Sequence, residues 1–384
     1  VARSSACAPA AAPTAIVQAP AEVEKPAVEL PVYEESRPRA TLAPASEEEP
    51  AFRPPADNEF QDYGVNPETD ARYDHLSTFA LDVDTASYNV TRRYLNDGFL
   101  PPYDAVRVEE FVNSFDQGYQ TPSEAVFSIY ADGAPSPQGF EEDEYILRFG
   151  VQGYAVDDFD RKPSVLTFVI DVSGSMAREN RLELVKRALR LLVNRLDERD
   201  SVTIVVYGSS ARTVLKPTRG DRHGLIITAI EELQPEGSTN VEAGLKLGYR
   251  HALASFREDA NNRVVLCSDG VANVGNTDAE TILQYVQGYV DEGIYLTSVG
   301  FGMGNFNDVL LEQLADRGNG NYAYVDTLDE ARELFVENLT STLQVIARDA
   351  RVQVDFNPDV VERYRLIGYE NRAIADQDFR NDRV

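Results

Sequence analysis

Histidine is rare in this 384-residue chain, cysteine rarer still, and long apolar runs are missing altogether. The two cysteines, Cys7 and Cys267, stand far apart in unlike contexts and make no disulfide framework. Cys267 closes the apolar run Val264-Val265-Leu266-Cys267, where a small buried side chain is expected. No stretch of about 18 apolar residues exists, so no helix is expected to span a membrane. Basic residues are outnumbered: 36 Lys and Arg against 64 Asp and Glu leave a net charge of −28. Such a field repels phosphate backbones and argues against nucleic-acid binding. It suits cations, basic surfaces or metal-bridged contact with an acidic partner.

Catalytic and nucleotide-binding patterns are absent too. His75, His223 and His251 are the only histidines, and no Gly-x-Ser-x-Gly or His-Glu-x-x-His pattern accompanies them. His223 falls in a charged turn and His251 within an amphipathic helix. Gly300-Phe301-Gly302-Met303-Gly304 fails as a dinucleotide fingerprint because its third glycine arrives one residue early. Asp82-x-Asp84 fails as a calcium loop, since Ala86 and Arg93 stand where that loop needs an oxygen ligand and a bidentate acid. The sequons at Asn89 and Asn338 fall in predicted helices and are read as coincidences.

What is present divides the chain. Ten of the 20 prolines fall in the first 55 residues, among Ala and Glu. Residues 1–58 cannot bury enough apolar area to offset ordering entropy and are read as a disordered tether. Residues 59–122 form a helical module: a strand over Leu76–Asp82, a helix over Thr85–Asn96, and a second helix capped by Asp104. Val108, Phe111, Val112 and Phe115 stripe that second helix at i, i+3, i+4, i+7, which predicts a core face. Residues 123–163 alternate as β-strands, and residues 59–163 hold 21 acidic and 7 basic side chains, read as a charged, solvated face.

Residues 164–345 change style. Val165–Ile170, Val202–Val206, Val264–Cys267 and Ile294–Val299 are continuous apolar runs of strand length. Helical patterns alternate with them, such as Leu182, Val185, Leu189, Leu192 and Leu196, and others near 241–255, 279–290, 308–315 and 329–343. Strands apolar on both faces, alternating with amphipathic helices, predict a doubly wound, mostly parallel α/β sheet. Its ligands should gather where strands end and helices begin. An alternating strand returns over Ala350–Phe356, opening a β region over 346–384. It is expected to join the β material before the α/β domain in one sandwich.

The chemistry concentrates in Asp171-Val172-Ser173-Gly174-Ser175, where the first apolar strand ends. Asp171, Ser173 and Ser175 alternate, so three oxygen side chains can turn toward one point, and Gly174 lets the loop bend. Thr239 lies in Gly237-Ser238-Thr239-Asn240 before a helix, and Asp269 in Ser268-Asp269-Gly270 after a strand. Hard divalent cations take such oxygens, and a small octahedral site suits Mg²⁺, with Mn²⁺ or Ca²⁺ as other occupants. An ordinary strand-to-helix turn with capping serines would explain the first motif alone, but not Thr239 and Asp269.

Together these motifs resemble the metal-ion-dependent adhesion site of the von Willebrand factor type A family, over residues 164–345. The resemblance implies that Ser173, Ser175 and Thr239 touch the metal directly and that Asp171 and Asp269 act directly or through water. A carboxylate from a protein partner would complete the shell. A second resemblance, carried by Ser77–Tyr88, Leu100-Pro101-Pro102 and Arg107–Phe111, is to a bacterial family of extracytoplasmic, often lipid-anchored, type A domain proteins. In that family a further region follows the domain; here it would begin near Ala350 and be cut short at Val384. Cys7 follows Ser4-Ser5-Ala6 as in bacterial lipoproteins, although Ser4 stands where Leu is usual. Lipid attachment at Cys7, in a trimmed product or fragment, is weighed against an incidental cysteine.

The expectation is therefore a Mg²⁺-dependent protein-binding module held at the cell envelope, not an enzyme. One alternative is a docking subunit of a larger envelope complex. A metal-dependent hydrolase is another, although hydroxyl-rich ligation does not favour it.

Overall fold

The computed structural model describes residues 58–123, 125–137, 143–156, 161–270, 279–302, 307–337, 350–372 and 374–380. The tether read over residues 1–58, apart from its last residue, lies outside them, as does Cys7. The chain runs through β1 (Thr69–Asp70), β2 (Leu76–Ala80), α1 (Ala86–Asn96), α2 (Val108–Asn113), β3 (Phe127–Pro135), β4 (Tyr145–Gly153) and β5 (Ser164–Asp171). Next come α3 (Arg181–Val193), β6 (Ser201–Tyr207), β7 (Ala211–Arg219), α4 (His223–Glu231), α5 (Val241–Ala254), β8 (Asn261–Ser268) and α6 (Ala279–Val290). The remainder is β9 (Ile294–Phe301), α7 (Asp308–Arg317), β10 (Tyr322–Val325), α8 (Leu328–Arg332), β11 (Arg351–Asp355) and β12 (Arg363–Tyr364).

The four apolar runs become the middle of one six-stranded sheet, ordered β10-β9-β8-β5-β6-β7. All its pairings are parallel except that of the edge strand β7, which returns antiparallel beside β6. Every residue of β5 and β9 is buried, because helices cover both faces. Alternation along β5 sends Val169 to one core with α5, α6 and α7, and Phe168 and Ile170 to the other with α3. The predicted stripe Leu182, Val185, Leu189, Leu192 and Leu196 is buried in that second core. The fold is the doubly wound α/β architecture read from the sequence. Parallel strands end together, so the loops after β5 and β8 open at the same sheet edge.

The segments on either side of this domain depart from expectation. β2 pairs antiparallel with β11, from Leu76↔Asp355 to Ala80↔Arg351, and β1 pairs with β12. Thus the flanking β material meets across the α/β domain, but as two-stranded ladders rather than one sandwich. The β3–β4 hairpin is separate from both. His223, read in a turn, is instead the first residue of α4. The helix read over 329–343 appears as α8 and a π-helical turn at Glu333–Glu337, with its continuation outside the described residues.

The core-face reading of α2 is wrong. Asp104 sits in a short 3₁₀ turn, Tyr103–Ala105, and α2 begins only after Arg107. Val108, Val112 and Phe115 are 42%, 47% and 54% exposed, whereas Glu109 and Glu110 are buried. Charge pairing turns the helix. The buried Arg107 guanidinium pairs with Glu110 and reaches Asp308 and Glu312 of α7 at 2.7 and 3.4 Å. A helix of six residues cannot present both its acids and its apolar stripe inward, and an ion left buried without its partners costs more than an exposed Val. Tyr88 of α1 partly shields the stripe by meeting the Phe111 and Phe115 rings edge-on, at 5.5 and 5.0 Å.

The solvated-face reading of the acidic excess holds for most of the described acids, which are exposed, but fails at four. Asp82, Asp84, Glu109 and Glu110 are all buried. Arg372 bridges Asp82 and Asp316 at 2.8 and 2.6 Å, and Asp84 accepts the Tyr322 N–H at 2.9 Å. The last contact satisfies a backbone donor on the edge strand β10, which would otherwise stand open. Asn89 donates to the Tyr324 carbonyl at 3.3 Å, so this sequon asparagine is engaged inside the fold.

Candidate functional site

Three loops meet where β5, β6 and β8 end. In the first, Asp171 accepts the Ser173 backbone N–H at 2.8 Å, which turns the chain sharply out of β5. This fold-back places the Ser173 and Ser175 hydroxyls 2.9 Å apart. In the second, Gly237 lies against the first loop, its carbonyl accepting the Gly174 N–H at 3.0 Å. Gly237 has φ +75°, and a Cβ there would stand 2.4 Å from the Ser209 hydroxyl, so glycine is required. Two residues on, Thr239 is buried, and Asn240 then caps α5 by accepting the Ala243 N–H at 2.9 Å.

The third loop carries Asp269, which is fully buried. Ser268 ties it to the first: its hydroxyl donates to Asp171 Oδ2 and accepts the Gly270 N–H, both at 3.0 Å. Gly270, at φ +87°, packs so closely on Asn307 that a Cβ would lie 2.6 Å from the Asn307 nitrogen. The Asp269 loop therefore rests directly on the start of α7. One Asp269 oxygen, Oδ2, accepts from Arg181 Nη1 at 2.9 Å. The other, Oδ1, is buried and has no hydrogen-bond partner among the described residues. Such an atom calls for an explanation, because buried carboxylate oxygens are normally satisfied.

Electrostatics make the site a place for positive charge. Burial, and then the neighbouring charge of Asp269, push the Asp171 carboxyl up to about 7, despite the opposing hydrogen bonds from Ser173 and Ser268. Burial and the charge of Asp171 likewise hold the Tyr207 phenol far above its usual range. Two carboxylates and one guanidinium are buried together here, a formal charge of −1. The free oxygen of Asp269 and the hydroxyls of Ser173, Ser175 and Thr239 are hard donors, so the donor set fits a small divalent cation. The site holds only two carboxylates, so a cation there would depend on the hydroxyls.

All five residues singled out from the sequence thus belong to adjoining loops at one sheet edge. Sequence reasoning missed Arg181, Ser268 and Tyr207. Ser268 sat within the quoted Ser-Asp-Gly loop and was within reach of notice. Arg181 is the first residue of a helix with mixed charge, and nothing local says that it turns inward. The histidines make other contacts: His223 with the Leu196 carbonyl at 2.9 Å, His251 with Thr213 at 2.7 Å, His75 with Asp355 at 2.8 Å. Cys267 is buried and free, as expected, and burial pushes its thiol well up.

Comparison with known proteins places this geometry in context. A family described as von Willebrand factor type A domain matches residues 166–342. One described as von Willebrand factor matches residues 54–148, and one described as Uncharacterized protein YfbK, C-terminal, matches residues 341–384. The chain is 38% identical over 338 residues to the Uncharacterized protein YfbK of Escherichia coli, covering 86% of this chain and 58% of that protein. It is 32% identical to the Uncharacterized protein sll0103 of Synechocystis sp., covering 55% of this chain and 49% of that protein. The chain therefore spans about half the length of these relatives. Among solved structures, a von Willebrand factor type A protein from Catenulispora acidiphila aligns with a TM-score of 0.42 at 16% identity, covering 60% of this chain and 52% of that one. Manganese-loaded Plasmodium vivax TRAP protein aligns with a TM-score of 0.39 at 18% identity, covering 59% of this chain and 80% of that one.

Proposed function

Residues 166–342 belong to the von Willebrand factor type A domain family, and from that premise we propose that this chain is a metal-ion-dependent protein-binding module rather than an enzyme. Asp171, Ser173, Ser175, Thr239 and Asp269 would hold Mg²⁺, with Mn²⁺ or Ca²⁺ as other occupants. When bound, the ion supplies an electrophilic corner open to a carboxylate of a protein partner. The observation that carries this reading is the Asp269 carboxylate, wholly buried, with one oxygen unpartnered beside a second buried carboxylate. Two buried acids served by a single guanidinium leave one negative charge uncompensated, which is costly unless a further cation joins them. The residues of this chain do the rest: Ser268 and the Ser173 amide orient Asp171, and Gly270 seats Asp269 against α7.

Display at the cell envelope, through a tether ending in a lipidated Cys7, belongs to the same proposal. Among the described residues no helix is long and apolar enough to cross a membrane, so any attachment through them would need another device. The test is a pull-down from the native envelope fraction in Mg²⁺, with EDTA and the Asp171→Ala protein as controls. Capture in Mg²⁺ alone is expected. Capture that survives both controls removes the reading.

A second reading, a docking subunit of a larger envelope complex, is supported by the apolar surface outside the α/β domain. Val112 of α2, Phe115 just beyond it, and Ile129, Leu147 and Phe149 of the β3–β4 hairpin are all exposed. A stoichiometric partner that co-purifies in EDTA would favour it.

A further inference from the structure

Arg181 opens α3, yet its side chain leaves the helix surface and ends against the metal-site loops. The side chain is 3% exposed, and it pairs with a carboxylate, Asp269, that is 0% exposed. The path is built for it: at Gly302, φ +82°, a Cβ would lie 2.3 Å from Arg181 Nε. Only glycine there leaves room for the guanidinium, so two distant positions in the chain agree on keeping it in place. Guanidinium stays charged at every working pH.

We infer that Arg181 is the specificity-determining residue of the site proposed above: a fixed counter-ion that leaves a bound divalent cation one positive charge in excess, so that the site selects an anionic group. This role rests on the metal reading and follows from the charges. Asp171 and Asp269 together carry −2, which would neutralise a divalent cation completely, since the three hydroxyls add nothing. A neutral, buried cluster has little call for a carboxylate from outside. Adding Arg181 gives the loaded cluster a charge of +1, and one partner carboxylate brings it to zero. Arg181 also repels the cation, so the arrangement gives up metal affinity in exchange for partner affinity. Pairing with only one oxygen of Asp269 leaves Oδ1 for the cation, so the two positive groups need not exclude each other.

The experiment titrates Mn²⁺ alone into the wild-type protein and into Arg181→Gln, Arg181→Met and Arg181→Lys, by calorimetry and by the electron-spin resonance of free Mn²⁺. Each titration is repeated in acetate, a carboxylate probe. Removing a like charge at close range in a site of effective dielectric about 20 should tighten Mn²⁺ binding about ten-fold or more in the Gln and Met variants. Acetate should strengthen Mn²⁺ binding in wild type and in Arg181→Lys and do nothing in the two neutral variants. A purely structural arginine would give the opposite, weaker Mn²⁺ binding on its loss. Folded neutral variants, verified by circular dichroism, that bind Mn²⁺ no more tightly than wild type overturn the inference. Should both neutral variants fail to fold, Arg181→Lys decides: losing the acetate effect while charged and folded also overturns it. Wild type that binds no Mn²⁺ removes the metal reading itself, which is a distinguishable failure.

Discussion

Replacing Asp171 by Asn should move stability in opposite directions with and without metal. In the metal-free protein Asp171 is buried beside Asp269 and holds its proton until about pH 7. An unfolded Asp ionises near pH 4. Its raised folded pKa means that the stability linked to this group is fully present below about pH 4 and is lost as pH rises through about 7. At about 1.4 kcal/mol per tenfold change in proton affinity, keeping Asp171 ionised at pH 8 costs up to about 4 kcal/mol. Asn avoids that cost but exchanges one acceptor oxygen for a donor. The natural acceptors take Ser173 N–H at 2.8 Å and Ser268 O–H at 3.0 Å, so the new amide would face Ser268, whose hydroxyl must turn round. That exchange should cost about 1–2 kcal/mol, leaving a net gain of about 2 kcal/mol, or about 4–8 °C in melting temperature for a domain of this size. With saturating Mn²⁺, wild type should gain about 2.7 kcal/mol at a hundred-fold excess over Kd, and Asp171→Asn should gain nothing. Differential scanning calorimetry at pH 8, in EDTA and then in Mn²⁺, reads both effects. An Asn variant less stable than wild type in EDTA, or still stabilised by Mn²⁺, refutes the reasoning.

Other outcomes follow from the same structure. Mn²⁺ affinity should rise from pH 4 to pH 7 with release of about one proton, because the cation favours the ionised form of Asp171. Calorimetry in two buffers of different ionisation enthalpy would expose a binding event with no proton release. Arg107→Met strands Glu110, Asp308 and Glu312 in the interior and should cost about 3–5 kcal/mol at pH 9 in urea denaturation. The loss should shrink at pH 5, since burial pushes Glu110 up to about 7 and Glu312 up to about 8, so both can stay protonated. Equal losses at the two pH values would contradict this. Gly320→Ala should destabilise by about 3 kcal/mol, as a Cβ there would lie 1.6 Å from the Leu296 carbonyl oxygen. Phe115→Ser, by contrast, should change stability by no more than about 0.5 kcal/mol, and a loss like that of a core phenylalanine would restore α2's apolar stripe to the interior.

Much of the α/β domain was legible because its signals are local. Four apolar runs had to be covered on both sides, and five helical stripes supplied the cover. The polar edge strand β7 escaped notice because its outer face is half exposed, and β10, wholly buried, because it is only four residues long. Asp171, Ser173 and Ser175 could be grouped from their alternation, since a single turn brings them together. Thr239 and Asp269 could be assigned only because each lies in a loop at the end or start of a regular element. Helix α2 misled for the same reason of locality: its stripe is helical in period, but the partner that orients it, Asp308, lies 201 residues from Arg107.

Local sequence therefore determined where strands and helices form, which loops they leave at one edge of the sheet, and which oxygen donors those loops carry. It could do so because backbone propensity, side-chain period and tight turns act over a few residues. Tertiary structure alone decided which charges face one another: Arg181 across 88 residues on Asp269, Arg107 on α7, and Arg372 on Asp82 across 290 residues. The strength of such pairs depends on distance and burial, and neither quantity exists until the chain has folded.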